Sequence, residues 1–505
     1  MNHEDLLLGL DIGTTGVKGC LVTGRGEVVA EAYSEHACRY PQPNWVEHDM
    51  LENWWQNPAQ VVRKLLQTEG VQPAQVKAVC ASGLHPNFGP ADAQGNPLCG
   101  AILYSDNRAV AELEEINTRH SLKLTSEELT PKLVWFLRHR PEARRMAMFF
   151  DAVHYFVYRL TGEYITDTIS VGAWGAIYHA PTTSWKPEVC VLYGIPLTCL
   201  PRVLPPIQIA GEISRLAAAA TGLLPGTPVL AGTNDVTAST IAAGVLHCSE
   251  AAANYGTAGL LPVMKMDMLE ALRFPYPGVE RGQAPQEGYL FDYPAYCLTT
   301  GDSLRWFRDE FGQVEHLQEQ QGGPSAYARF DALAASVPPG CEGLIFLPYM
   351  LGQRSPEFNP HATAGFFGLR RNHTRAHIYR ALLEAWGFTI RYGLECYYPQ
   401  GHPLQRLVAT GGGARSPLWR QIVSDITGIP QDYAPEAEGA RADAYLAGMA
   451  LGWFPGFDAL LHEWITQAEP TQPDPAVHQY YSEEVYPNYV AIHQMLKSSP
   501  RGLNG

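Results

Sequence analysis

Two short stretches, one at the start of the chain and one just past its middle, share a single plan. Leu6 to Ile12 is a continuous apolar strand that ends in Asp11-Ile-Gly-Thr-Thr-Gly16, after which residues 17–22 return as a second strand. Residues 251–255 run into Gly256-Thr-Ala-Gly259, and residues 260–263 return in the same way. A hairpin turn built of glycine and threonine offers successive backbone N–H groups and hydroxyls in one concavity, an anion nest suited to phosphate. A plain glycine-rich turn would use the same residues. Two copies of one hairpin point to duplicated domains, and 505 residues exceed what one hydrophobic core usually supports. We place the domains at 1–246 and 247–505.

Between the copies lies Thr227-Pro-Val-Leu-Ala-Gly-Thr-Asn-Asp235, an apolar strand over 229–231 that turns directly into a small-residue helix over 236–243. Asp235 then sits in the first helical turn, where unpaired N–H groups and the helix dipole favour a carboxylate. Asn234 is itself a good cap, which leaves Asp235 available for chemistry. Three more strands deliver polar or glycine-rich turns. These are 76–81 into Ser82-Gly-Leu-His-Pro-Asn87, Ala101-Ile-Leu-Tyr-Ser-Asp-Asn-Arg108, and 407–409 into Thr410-Gly-Gly-Gly-Ala414. Polar residues at the carboxyl ends of strands, each followed by a helix, mark an α/β sheet with its ligand at that edge. Three bare glycines suggest a flat ligand lying on the backbone, or else a tight crossover. The small-residue helix over 440–451 is placed beneath that same turn. Trp45-Val-Glu-His-Asp49 precedes a helix that Asp49 caps, and Trp45 is either an aromatic pocket wall or a core residue.

Several classes are excluded. There is no Walker P-loop after a strand, and no Rossmann Gly-x-Gly-x-x-Gly. His373 and His377 lack the glutamate of a zinc helix. Lys+Arg 36 against Asp+Glu 51 leaves a net charge of −15 without a basic run, which argues against nucleic acid. The ten cysteines are scattered singly, as in a reduced cytoplasmic protein, and no stretch is apolar enough for a membrane span.

Taken together, Asp11-Ile-Gly-Thr-Thr, Trp45-Val-Glu-His-Asp49, the segment 101–108, Gly232-Thr-Asn-Asp235, Tyr255-Gly-Thr-Ala258, Phe346-Leu-Pro-Tyr-Met-Leu-Gly-Gln-Arg-Ser-Pro356 and Thr410-Gly-Gly-Gly-Ala414 resemble the FGGY carbohydrate kinases of the actin-like ATPase superfamily. The resemblance, closest to sugar kinases of the xylulokinase type, implies an α/β fold of two duplicated RNase H-like domains flanking a central cleft. It implies ATP and Mg²⁺ as cofactors and a small sugar or polyol as acceptor, with a homodimer left open. Asp235 falls at the catalytic base and Asp11 at the metal carboxylate. Thr14, Thr15, Lys18, Gly256 and Thr257 match the phosphate side, and Gly411, Gly412, Gly413 and Ala414 the adenosine side. His85, Asn107, Arg108 and Asp235 fall in the sugar-binding region. The chain departs from the pattern at Val236, where many relatives carry Asn, at Gly352-Gln-Arg354, and in the 82–87 loop. The expected reaction is transfer of the γ-phosphoryl of ATP to a terminal hydroxyl. A silent sugar- or nucleotide-binding protein on the same fold is the alternative, and a chaperone-type ATPase the third reading.

Overall fold

The computed structural model describes residues 4–179, 183–273, 290–359, 361–435, 437–465 and 470–497. The chain divides into two compact units. The first comprises Met1–Leu246, Met266–Leu290 and Glu438–Ile465, and the second His247–Lys265, Phe291–Ala437 and Thr466–Gly505.

The first unit is built on strands β1 (Leu6–Ile12), β2 (Gly16–Thr23), β3 (Val28–Glu35), β4 (Val76–Gly83), β5 (Ile209–Glu212), β6 (Pro228–Leu230) and β7 (Thr233–Asn234). Their order is β5-β6-β4-β1-β2-β3, and β7 adds to the end of β4. β1, β2 and β3 form an antiparallel meander, while β4 and β6 continue the sheet parallel to β1. Leu6, Leu8, Leu10 and Ile12 are buried on one face and Leu7 on the other, so β1 is apolar throughout, as a strand covered on both sides must be.

The second unit repeats this connectivity with β8 (Glu250–Tyr255), β9 (Gly259–Met264), β10 (Phe291–Cys297), β11 (Arg406–Thr410) and β12 (Gln431–Tyr433), in the order β10-β9-β8-β11-β12. Again three strands form an antiparallel meander, and two more run parallel to the first. The duplication expected from two similar turns is therefore a duplication of whole sheets. The helices Arg375–Tyr397 and Pro417–Thr427 bury Trp386 and Trp419 against this sheet, with Tyr255 edge-on to both rings.

One placement differs from expectation. The small-residue helix Gly439–Ala450, expected beneath the glycine turn of the second unit, belongs to the first unit, where it covers β1. A Cβ on Gly9 would collide with the backbone of Ala440 and lie 2.6 Å from Ala444 N. Glycine in the strand and alanine in the helix let the two backbones touch.

Candidate active site

The site grows from the carboxyl ends of β1, β4 and β7. Asp11 lies opposite Lys18 of β2 and Ser82 of β4. Its Oδ1 is buried and has no hydrogen-bond partner among the described residues. Burial pushes the Asp11 carboxyl up to about 6, a rise that Lys18 opposes and Glu438 assists. Lys18 itself is tied to Glu438 at 2.9 Å.

At the end of β7 the chain enters the helix Asp235–Ala242. Asn234 is the cap, its side-chain oxygen accepting from the Thr237 N–H at 2.8 Å and the Thr237 hydroxyl at 2.9 Å. Capping is thus taken over by the neighbour. Asp235 Oδ1 accepts the adjacent Val236 N–H, at 2.9 Å, a bond within its own turn. Burial pushes its carboxyl up to about 7; the charge of Asp11 adds to the rise and His85 opposes it. The negative charge of one carboxylate disfavours ionisation of its neighbour, and a nearby cation would favour it.

His85 is almost fully enclosed, with Nδ1 3.1 Å from Asp151 Oδ2. Its Nε2 is buried and unpartnered among the described residues. Burial works against the imidazolium, but Asp151, Asp167 and Asp235 together hold its pKa above the ordinary value. Asp151 also accepts from the Asn87 N–H at 2.6 Å and the Trp174 indole at 2.9 Å. Behind it, His154 and Asp167 pair at 3.2 Å. Sequence reading passed over Asp151, His154 and Asp167. The one signal was two polar residues, i and i+3, opening the otherwise apolar helix Ala152–Thr161. Tyr104, also missed, feels both the Thr14 side chain and the charge of Asp235.

The 101–108 loop corrects an expectation. Arg108 does not present its guanidinium to a ligand. Nε and Nη2 grip Asp106 at 2.9 and 2.6 Å, Nη1 holds Glu47 at 2.8 Å, and the group lies 3.8 Å above the Trp45 ring. Trp45 is thus spent at least on one face in covering an arginine. Asp106 also accepts the Val46 N–H at 2.6 Å, and the Asn87 amide is spent on Leu84 O and Tyr104 N–H. Asn107 is half-buried and bonds locally, to Asn44 O and Ser105 O. Of the polar groups expected to face a sugar, His85 keeps a free ring nitrogen.

Thr14 is half-buried and Thr15 exposed at the tip of the first Gly-Thr turn. In the second unit the carbonyls of Gly256 and Thr257 accept from Gly301 and Asp302, at the start of the helix Thr300–Phe311. The three glycines of 411–413 prove unequal. Gly411 has a φ of +83°, and a Cβ there would lie 2.7 Å from Asn254 Oδ1; a Cβ on Gly413 would strike Trp419. Around Gly412 nothing lies within 4 Å. Two of the three therefore serve the fold, and Gly412 alone is open. Ala414 is fully buried.

Two models of one family match nearly end to end: the N-terminal domain of the FGGY family of carbohydrate kinases over residues 6–242, and its C-terminal domain over 251–451. The chain is 26% identical to a xylulose kinase of Bacillus subtilis (strain 168), over 92% of this chain and 91% of that one. It is 28% identical to a gluconokinase of Bacillus licheniformis, over 90% and 89%. Among solved structures it is similar to xylulose kinase from Rhodospirillum rubrum, with a TM-score of 0.84, 29% identity, and 97% and 99% of the two chains covered. With both sheets, both turns and both domain models in register, the chain belongs to the FGGY family of carbohydrate kinases.

Proposed function

We propose that this kinase transfers the γ-phosphoryl group of MgATP to a terminal hydroxyl of a small neutral sugar or polyol, with Asp235 as the base. The observation that carries the reading is the freed carboxylate of Asp235: Asn234 caps the helix, and one oxygen of Asp235 bonds its own neighbour. Asp235 orients the acceptor hydroxyl and takes its proton as the new bond forms, a contribution typically worth about 10²–10⁴-fold. Burial raises its pKa to about 7, which makes the ionised carboxylate a stronger proton acceptor than an ordinary aspartate and confines its action to pH values near neutrality and above.

Asp11 fits Mg²⁺: its buried, unpartnered Oδ1 is a hard oxygen donor. No group of three or more His, Cys, Asp or Glu among the described residues forms a protein cage. That suits an ion bound by one carboxylate, with water and phosphate oxygens completing its shell. When bound, Mg²⁺ supplies charge neutralisation at the phosphates. Thr14 and Thr15 hold the phosphate side from the first unit, with Lys18 beside them. In the second unit Gly256 and Thr257 take phosphate, and the open backbone at Gly412 takes the adenosine.

The acceptor is a compound of about three to seven carbons read by hydrogen bonds, since a site of that kind rejects partners lacking the matching groups. His85 Nε2 contacts one of its hydroxyls. A five- or six-carbon ketose is the first choice, in keeping with the xylulose kinase relatives, and the gluconokinase relatives motivate a sugar acid as comparison. Coupled ADP formation across pentuloses, hexuloses, pentitols, erythritol, glycerol and gluconate decides the matter. Turnover with a ketose above the ATPase background is the expected result. Background rates with every acceptor would favour a silent binding protein.

A further inference from the structure

The first Gly-Thr turn is held from behind by a layer of side chains. Gly13 O accepts from His36 Nε2 at 3.0 Å. Thr14 O faces His48 Nε2 at 3.0 Å, with the Cys38 thiol at 3.7 Å. Thr15 O accepts from the His36 N–H at 2.9 Å and the Tyr33 hydroxyl at 3.2 Å. A trans peptide points its C=O and the following N–H in opposite directions. Drawing the Gly13 and Thr14 carbonyls backward therefore turns the N–H groups of Thr14 and Thr15 forward. Among the described residues neither N–H has a protein acceptor.

The imidazole protons follow from partners that have no choice. The Trp54 indole N–H, which can only donate, lies 3.1 Å from His48 Nδ1. Nδ1 must then be the bare nitrogen, so the ring proton sits on Nε2, facing a carbonyl that can only accept. His36 repeats the arrangement, with Nε2 on Gly13 O and Nδ1 3.3 Å from the Asn57 amide. The two rings meet edge to face with centroids 4.9 Å apart, and Trp54 and His48 are fully buried. Burial, and for His48 also the nearness of His36, keeps both rings neutral; His48 is pushed down to about 4.

We infer that His36 and His48, fixed as Nε2–H tautomers by the Gly13 carbonyl and the Trp54 indole, are positioning residues for phosphate: they pre-aim the Thr14 and Thr15 N–H groups at a nucleotide they do not touch. The phosphate ligand rests on the function proposed above; the tautomers do not. The test uses the full chain, with MgADP as the probe and steady-state kinetics in ATP. His48→Leu is expected to weaken MgADP binding and raise the KM for ATP by about three- to tenfold, the size of one neutral hydrogen bond, with kcat within twofold. His48→Gln, whose amide can both donate to Thr14 O and accept from Trp54, restores binding. Nitrogen-15 NMR of the histidines should show His48 as the Nε2–H tautomer at neutral pH. Trp54→Phe, which removes the donor and keeps an aromatic ring, should let the other tautomer appear and reproduce part of the KM effect. An Nδ1–H or charged His48 in the unmodified protein overturns the inference. So does a folded His48→Leu or Trp54→Phe variant with unchanged MgADP affinity. If the unmodified protein binds no MgADP, the nucleotide reading falls, and the tautomer spectrum still decides whether the clamp exists.

Discussion

In the first unit the carbonyls of Gly13, Thr14 and Thr15 are met chiefly by side chains, those of His36, His48 and Tyr33. In the second, the carbonyls of Gly256 and Thr257 are met by backbone N–H groups alone, from Gly301 at 2.9 and 3.1 Å and Asp302 at 3.2 Å. Those N–H groups open a helix and have no partner inside it, so the second clamp needs no particular side chain. It needs a close approach instead, because a Cβ on Gly301 would lie 2.5 Å from Gly256 O. The same division runs through the chemistry. Asp11 and Asp235, the carboxylates with raised pKa at the site, belong to the first unit, while the second unit offers glycine turns. In the proposed function, one copy of the duplicated sheet supplies the reactive carboxylates and the other a backbone cradle.

The sharpest way to break this contrast is Asp235→Asn. The amide keeps the shape and loses the proton acceptor, so kcat should fall by about 10²–10⁴-fold while the KM for ATP changes little. Wild-type turnover in this variant would leave the first unit without its base. Next in size is Gly301→Ala. Its new methyl meets backbone, which cannot swing aside, and overpacking of this kind costs about 1–3 kcal/mol. Denaturant melts should show that loss, with the KM for ATP raised alongside. A neutral Gly301→Ala would mean that the second turn is not held by close approach.

The pH dependence of stability separates the units by a different route. Burial raises Asp235 to about 7 and Asp11 to about 6, both above the value of 3.8 they have when unfolded. Between those limits the folded protein binds more protons than the unfolded chain, so these groups favour folding at acid pH, and their contribution declines as pH rises through about 6 and 7. Asp235→Asn removes one such group. Its Tm should match the unmodified protein below about pH 4, draw ahead as pH rises from there, and reach its full lead by pH 8, in the absence of Mg²⁺ and nucleotide. Over the same range kcat/KM of the unmodified enzyme should rise, because only the ionised carboxylate accepts a proton. A Tm gap that stays constant with pH would show that Asp235 titrates normally.

How much of this was legible beforehand depended on how far apart the partners lie. The strand Leu6–Ile12, and the capping by Asn234 that frees Asp235, are local events written within a few residues, and they read correctly. Arg108 misled because only one of its partners, Asp106, is local; Glu47 and Trp45, which complete its enclosure, lie far upstream, and by itself Ser-Asp-Asn-Arg looks like an exposed polar loop. The helix Gly439–Ala450 announced close packing by its composition, but nothing in it names Gly9 as the surface it meets. His48 was hidden for the same reason. Its neighbours in sequence suggested a helix cap, and its bonds go to Thr14 and Trp54. Glycine runs mislead in the opposite direction, since Gly411 and Gly413 look like ligand surface and are packing.

Gly412 remains the place where the cradle reading can be tested with the least disturbance. It is exposed, nothing lies within 4 Å of an added Cβ, and its φ is one that alanine adopts. Gly412→Ala should therefore leave the fold alone. The loss of chain freedom in the unfolded state should even add about 0.4–1 kcal/mol of stability. A methyl group on an otherwise empty stretch of backbone can be felt only by something that arrives from solution. If the adenosine lies over Gly412, MgATP affinity falls several-fold while Tm holds or rises slightly, a combination that damage to the fold cannot produce. Unchanged affinity, with the Tm raised, would remove Gly412 from the nucleotide's footprint and leave Gly256 and Thr257 as the second unit's contact with it.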